Sequence, residues 1–209
     1  AAVRHTASTF CWVDIHGEVA HASRPHLGKS VVEAAVLATN AVNSLWVNPN
    51  KSWSAKVTTL DCRSTASNII PDKGRMCLDI RAQDNATMDE LLEKLKVAIT
   101  NACACVGCTC EISFPGGVIP AAEYDEDLVT EVRETIKEVL GEEKLAKDCG
   151  GGGEDFHYFV QKKPSIHAAY IGVGTGVTPG LHNPTMTMNP ESLRNGVEVL
   201  TKLVLDKVG

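Results

Sequence analysis

The spacing of apolar residues alternates between two periods from Thr9 to Phe114, and the order of the changes leaves few folds open. Thr9 to His16 (TFCWVDIH) is rich in β-branched and aromatic residues and is predicted to be a strand. Ser30 to Leu45 places its apolar residues at helical spacing. Ala55 to Leu60 and Arg75 to Ala82 each alternate with period two. A helix is expected to start at Thr87, with Thr87 as its N-cap and Asp89 and Glu90 in its first turn, and to run on through Leu91 to Gly107. Cys110 to Phe114 closes the series as a short strand. The order β-α-β-β-α-β is that of the ferredoxin-like split βαβ arrangement, a sheet with both helices on one face. Topology of this kind carries no function by itself.

The second half reads differently. Leu128 to Leu140 is an amphipathic helix, Gly150 to Gly153 a glycine run, and Glu154 to Val160 a short helix. Ala168 to Gly172 (AAYIG) is expected to be a buried strand, followed by a Gly- and Pro-rich loop to Pro190 and a closing helix from Glu191 to Val208. One or two strands with three helices do not make a covered sheet, so this half is expected to need partner strands from elsewhere. The chain opens on Ala1, with neither an initiating Met nor a signal-peptide pattern, and the expectation is that a segment precedes it.

Composition excludes some roles. The net charge is -6 with no basic stripe, so nucleic acid is not an expected partner. No apolar run approaches the roughly 18 residues of a membrane span, so a membrane is not expected either. Eight cysteines are many, and four of them cluster as Cys103, Cys105, Cys108 and Cys110. That spacing suits a soft metal or buried apolar thiols. The favoured reading is structural, because the four straddle a helix–strand junction. All eight are read as reduced, which goes with a cytoplasmic protein.

Chemistry concentrates in a few short stretches. His16 to Gly28 (HGEVAHASRPHLG) joins the first strand to the first helix and holds three histidines, side chains fit for metal ligation, proton transfer or donation to an oxyanion. Ser67 to Asp72 reads SNIIPD, Asp79 to Arg81 reads DIR, Gly153 to Phe156 reads GEDF, and Gly180 to Pro184 reads GLHNP.

In this order the stretches resemble the dimetal aminoacylase superfamily, which includes hippurate hydrolase, auxin-conjugate hydrolase and aminobenzoyl-glutamate hydrolase. Gly-x-x-x-His-Ala-x-x-Pro-His is similar to the signature of its lid domain, and the resemblance covers nearly the whole chain. It implies an α+β protein: residues 1–116 a ferredoxin-like lid and dimerization domain, residues 117–209 the C-terminal part of a zinc-peptidase-like α/β catalytic domain. It implies a metal-dependent hydrolysis of the amide bond of an N-acyl or N-aroyl amino acid or a dipeptide-like substrate, two zinc ions in the intact protein, and a homodimer formed through the lid. The segment that carries most of the family's metal ligands and its Glu general base has no counterpart here, and Glu142-Glu143 lacks neighbouring metal motifs. The chain alone is therefore expected to be an inactive fragment that holds little or no metal.

Carried over residue by residue, the resemblance makes His182 a metal ligand and His21 a lid histidine that donates to the oxyanion in a partner's site. For His182 the alternative is an exposed loop residue. Asn68 is a substrate-binding amide or a turn former. Arg81 is a clamp on a substrate carboxylate or half of an ion pair. Gly152 and Gly153, in front of a helix, offer backbone N–H groups to a carboxylate. Glu154 and Asp155 orient the site from behind its ligands or simply favour a helix dipole. His26 is left open, and His5, His16, His157 and His167 are read as structural or solvated. Two other functions compete: a non-catalytic lid and dimerization module, and an amino-acid-sensing regulatory domain.

Overall fold

The computed structural model describes residues 2–209. In chain order its elements are β1 (Val3–Arg4), β2 (Ala7–His16), β3 (Ala20–His21), α1 (Val31–Asn43), β4 (Trp53–Asp61), β5 (Ile69–Ile70), β6 (Lys73–Ala82), α2 (Asn85–Cys105) and β7 (Thr109–Ser113). They continue with α3 (Glu126–Leu140), β8 (Cys149–Gly150), α4 (Tyr158–Lys162) and α5 (Leu193–Val208). Among the described residues no helix is long and apolar enough to cross a membrane. The chain divides into two compact units. His5–Ala122 and Gly152–Tyr158 make a sheet unit, and the remaining residues a helical one.

In the sheet unit, four antiparallel strands take the order β4-β6-β2-β7. The period-two pattern of β2 sorts its side chains onto two faces. Ala7, Thr9, Cys11, Val13 and Ile15 are buried, while Phe10, Trp12 and His16 are exposed. On β6, Met76, Leu78, Ile80 and Ala82 continue the buried face. Both long helices pack on this face and on each other. α1 contributes Val31, Ala34, Ala35, Ala38 and Val42, and α2 contributes Met88, Leu91, Leu95 and Ile99. Each buried Leu, Ile or Met adds about 1.5–3 kcal/mol, so these helices are held by packing rather than by their own propensity. The other face of the sheet is polar and aromatic: Asp14 and Arg75 pair at 2.6 and 2.8 Å, with the guanidinium 5.0 Å from the Trp12 ring.

Helix ends correct two expectations. The N-cap of α2 is Asp84, not Thr87: the Asp84 carboxylate accepts from the Thr87 N–H at 2.8 Å and starts the helix a turn earlier, burying Thr87 inside it. The same helix stops at Cys105 rather than Gly107, because Gly107 takes the left-handed φ of +74° that ends helices.

In the helical unit, α3 and α5 bury Val132, Ile136 and Val199 against one another, with Leu145, Ala169 and Ile171 packed around them. Asp125 caps α3, accepting from the N–H groups of Asp127 and Leu128 at 2.9 Å each. Arg4 forks onto Glu126 at 2.9 Å and, with Arg133, reaches Asp148. The strand expected at Ala168–Gly172 does not form. The segment makes an isolated bridge from Ile171 to Ala2 and accepts at the Tyr170 carbonyl from the Val3 N–H and at the Ala168 carbonyl from the Asp125 N–H. A strand persists only with a ladder partner along its length, and sequence pattern alone cannot supply one.

Candidate active-site residues

His21 and Asn68 are brought side by side within the sheet unit. After β2 the chain turns at Gly17, whose N–H donates to the Asp72 carbonyl at 2.7 Å, and Glu18 bridges to Lys29. A side chain at Gly17 would collide with the Lys29 carbonyl, so the tight turn requires glycine. β3 then pairs with β5, setting His21 opposite Ile69, and the Ala22 N–H donates to the Asn68 carbonyl at 2.8 Å.

The His21 ring has a defined tautomer. Its Nδ1 accepts from the Ser23 backbone N–H at 3.1 Å and lies 2.8 Å from the Ser23 hydroxyl. A backbone N–H only donates, so the proton of the neutral ring sits on Nε2. Nε2 lies 3.4 Å from the Asn68 side-chain amide nitrogen, too long for a good hydrogen bond. Two neutral N–H donors thus stand next to each other on an exposed edge, an arrangement suited to gripping one oxygen anion from two sides. His26, in the turn at Pro25–Leu27, is exposed and makes no part of this pair.

Arg81 lies at the other end of the sheet. β6 begins at Lys73, just after the Asn68 segment, and Arg81 is its penultimate residue. At about 3.3 Å per residue the two ends are roughly 26 Å apart. Arg81 donates to Asp79 at 2.7 and 2.9 Å, which holds the guanidinium in its charged form and fixes its plane. It lines a cavity of about 280 Å³ together with Ser8, Phe10, Gly116, Gly117 and Gly153. Gly117, at a φ of +75°, offers its carbonyl to the Thr9 hydroxyl at 2.8 Å.

Gly152 and Gly153 border this second group. The Gly152 carbonyl accepts from the Thr6 N–H at 3.0 Å, and Gly153 packs so closely on Ser8 that a Cβ there would meet the Ser8 hydroxyl. The helix expected after them is only a three-residue turn at Asp155–His157 followed by the five residues of α4, so little dipole backs the Gly153 N–H. Glu154 precedes that turn and Asp155 is exposed within it.

His5 and His157, read from sequence as structural or solvated, meet each other in the sheet unit, a contact the sequence did not announce. His157 is 2% exposed and its Nε2 lies 3.0 Å from the Nδ1 of His5. Burial lowers the pKa of both, and for His157 the neighbouring His5 adds to the effect. No motif marks either residue. The signal that could have pointed to His157 was its place inside an otherwise apolar HYFV run.

In the helical unit, His182 is exposed in a turn after Gly180 and is the one non-glycine residue with positive φ among the described residues, at 65°. Such a backbone costs a non-glycine residue free energy and concentrates at functional turns. Among the described residues no three His, Cys, Asp or Glu side chains gather as a metal site.

The profile of peptidase family M20/M25/M40 matches residues 11–206. N-acetyldiaminopimelate deacetylase of Bacillus licheniformis is 26% identical over 192 residues, covering 90% of this chain and 50% of the relative. Thermostable carboxypeptidase 2 of Saccharolobus solfataricus is 27% identical over 167 residues, covering 77% and 40%. A Bacillus subtilis protein described as a dinuclear metal-binding peptidase superposes with a TM-score of 0.73 at 19% identity, over 98% of this chain and 51% of that one. The chain spans about half the length, or less, of the curated relatives it matches. With the motifs in order along nearly its whole length, this chain belongs to peptidase family M20/M25/M40.

Proposed function

We propose that this chain serves a metal-dependent amidohydrolase that cleaves the amide bond of an N-acyl or N-aroyl amino acid or dipeptide-like substrate. The observation that carries the proposal is the separation of two complementary groups. His21 and Asn68 present paired donors at one end of the sheet, and Arg81 presents a cation in a cavity at the other. One substrate carries both a carboxylate and a carbonyl that becomes an oxyanion, only a few ångströms apart. A gap of roughly 26 Å is too wide for both groups to act on it from the same chain. Two copies reconcile them: one supplies Arg81 and Gly153 for the carboxylate, and its partner supplies His21 and Asn68 for the oxyanion.

In this reading residues 1–116 are a ferredoxin-like lid, supported by the sheet order β4-β6-β2-β7, and residues 117–209 close a zinc-peptidase-like domain. The edge strands β4 and β7, each paired on one side, or helix α1 join the lids into a homodimer. His182 supplies one zinc ligand, and a single imidazole does not hold zinc tightly, so the 209-residue chain by itself is inactive. The abundance of thiols supports a cytoplasmic setting.

In this reading the Nε2–H of His21 donates to charge that develops in the transition state. In a protein of the relatives' full length carrying this segment, His21→Ala should lower kcat by about a hundredfold or more with little change in KM, and leave metal content intact. His182→Ala should lose metal and activity together. Mixing the two inactive proteins should restore part of the activity, because one hybrid site has a sound His182 and receives a sound His21. No recovery after proven subunit exchange would end the cross-subunit reading. Full metal occupancy in His182→Ala would remove that ligand.

A further inference from the structure

We propose that Cys103 and Cys110 are a redox-responsive pair that closes into a disulfide across the junction of α2 and β7. Cys103 is in the last turn of α2 and fully buried. Cys110 is on β7, in register with Ile15 on the face that packs under the helices, and is half-buried. Between them Gly107 turns the chain with its left-handed φ of +74°, and the Cys108 N–H donates back to the Cys103 carbonyl at 3.0 Å. This reversal brings β7 back along the end of α2, so that Cys110 faces the last turns of the helix that hold Cys103. The Cys110 Sγ also lies 4.0 Å from the Thr100 hydroxyl, one helical turn before Cys103, which fixes it along α2.

The two thiols have unequal access, and that sets an order of reaction. Burial, reinforced by the neighbouring Cys110, pushes the Cys103 thiol up to about 12, so alone it is a poor nucleophile. β7 is an edge strand, and its partly exposed Cys110 meets a small oxidant first. With a low-molecular-weight disulfide such as oxidised glutathione, the Cys110 thiolate attacks one sulfur and expels one glutathione thiolate, leaving a mixed disulfide. Cys103 then gives its proton to the departing side and attacks the Cys110 sulfur, expelling the second glutathione. Two protein thiols are oxidised to one disulfide, and one glutathione disulfide is reduced to two thiols. The sulfurs close to about 2.05 Å, across a short loop that already reverses direction.

The test uses the 209-residue chain and oxidised glutathione. After incubation the protein is denatured in acid with excess N-ethylmaleimide, reduced, labelled with iodoacetamide and sequenced by tandem mass spectrometry. Cys103 and Cys110 should carry the second label to equal extent. Being fully buried, Cys103 should acquire it only through an internal partner, so in Cys110→Ser it should revert to maleimide, and in Cys105→Ser it should keep the second label. Cys110→Ala replaces the serine variant if circular dichroism shows that serine unfolds the sheet. Cys103 carrying maleimide alone after oxidation, or still oxidised without Cys110, would overturn the pairing.

Discussion

A methyl group added to Gly153 would run into the Ser8 hydroxyl, and because the Ser8 backbone is tied to Ile119 by two bonds of 2.9 Å, relief must come from turning that hydroxyl away or shifting Gly153. Gly153→Ala should cost about 1–3 kcal/mol in urea unfolding, as overpacking does. Combining it with Ser8→Ala should cost less than the sum of the two single changes, because the obstructing oxygen is gone. Strict additivity would show that the strain lies elsewhere. The His5–His157 pair makes a second residue-scale prediction. Both folded-state pKa values are lowered, so the unfolded chain binds more protons and stability rises with pH. The contribution is complete above the unfolded value of about 6.5 and is lost as pH falls below it toward the folded values. Unfolding midpoints measured from pH 7.5 down to 5.5 should drop, and His157→Gln should flatten the slope over that window.

At the scale of an element, α2 shows how burial rather than residue type decides cost. Leu95 is fully buried, whereas Val97, two residues on, is 60% exposed. Leu95→Ala should cost about 2–5 kcal/mol, and Val97→Ala should stay within about 0.5 kcal/mol of neutral, in the same denaturant experiment. Comparable losses would mean that the helix packs through a different face. The cap gives an independent check. Asp84→Ala should cost about 1 kcal/mol, while Thr87→Ser, which leaves the accepting carboxylate in place, should cost less. The Asp84 carboxyl is held well below its usual range by its bonds to Thr87 and Lys51. Its share of stability is therefore present above the unfolded value of about 3.9 and fades only as pH falls below it, well clear of the histidine window.

At the scale of the whole molecule, the separation of the His21 and Arg81 groups makes association part of the proposed chemistry. Sedimentation equilibrium should show a concentration-dependent dimer, and charged substitutions on the edge strand or helix that joins the lids should abolish dimer and activity together. A strictly monomeric protein with full turnover would refute the shared site. Under the proposed function, oxyanion donors would arrive only when two chains meet, and such donors carry a large share of acyl-transfer catalysis.

The strands and helices of the sheet unit were legible because each one has a single buried face, and the period of that face is written in residues such as Cys11, Val13 and Ile15 or Leu91, Leu95 and Ile99. His21 and Asn68 come together because each lies where the chain leaves or enters the same end of the sheet, with β3 paired to β5. What local pattern could not decide was anything that depends on distant partners. AAYIG has the composition of a strand, yet only a ladder partner makes it one. Thr87 is a good capping residue, yet Asp84 caps the helix a turn earlier by accepting from the Thr87 N–H itself. His5 and His157 are 152 residues apart, and no spacing announces their contact. The split of the candidate site between opposite ends of β6 belongs to the same class. Sequence determines which face each element buries, because that is a local free-energy difference; tertiary structure decides which side chains meet, because that depends on the register and order of strands far apart in the chain.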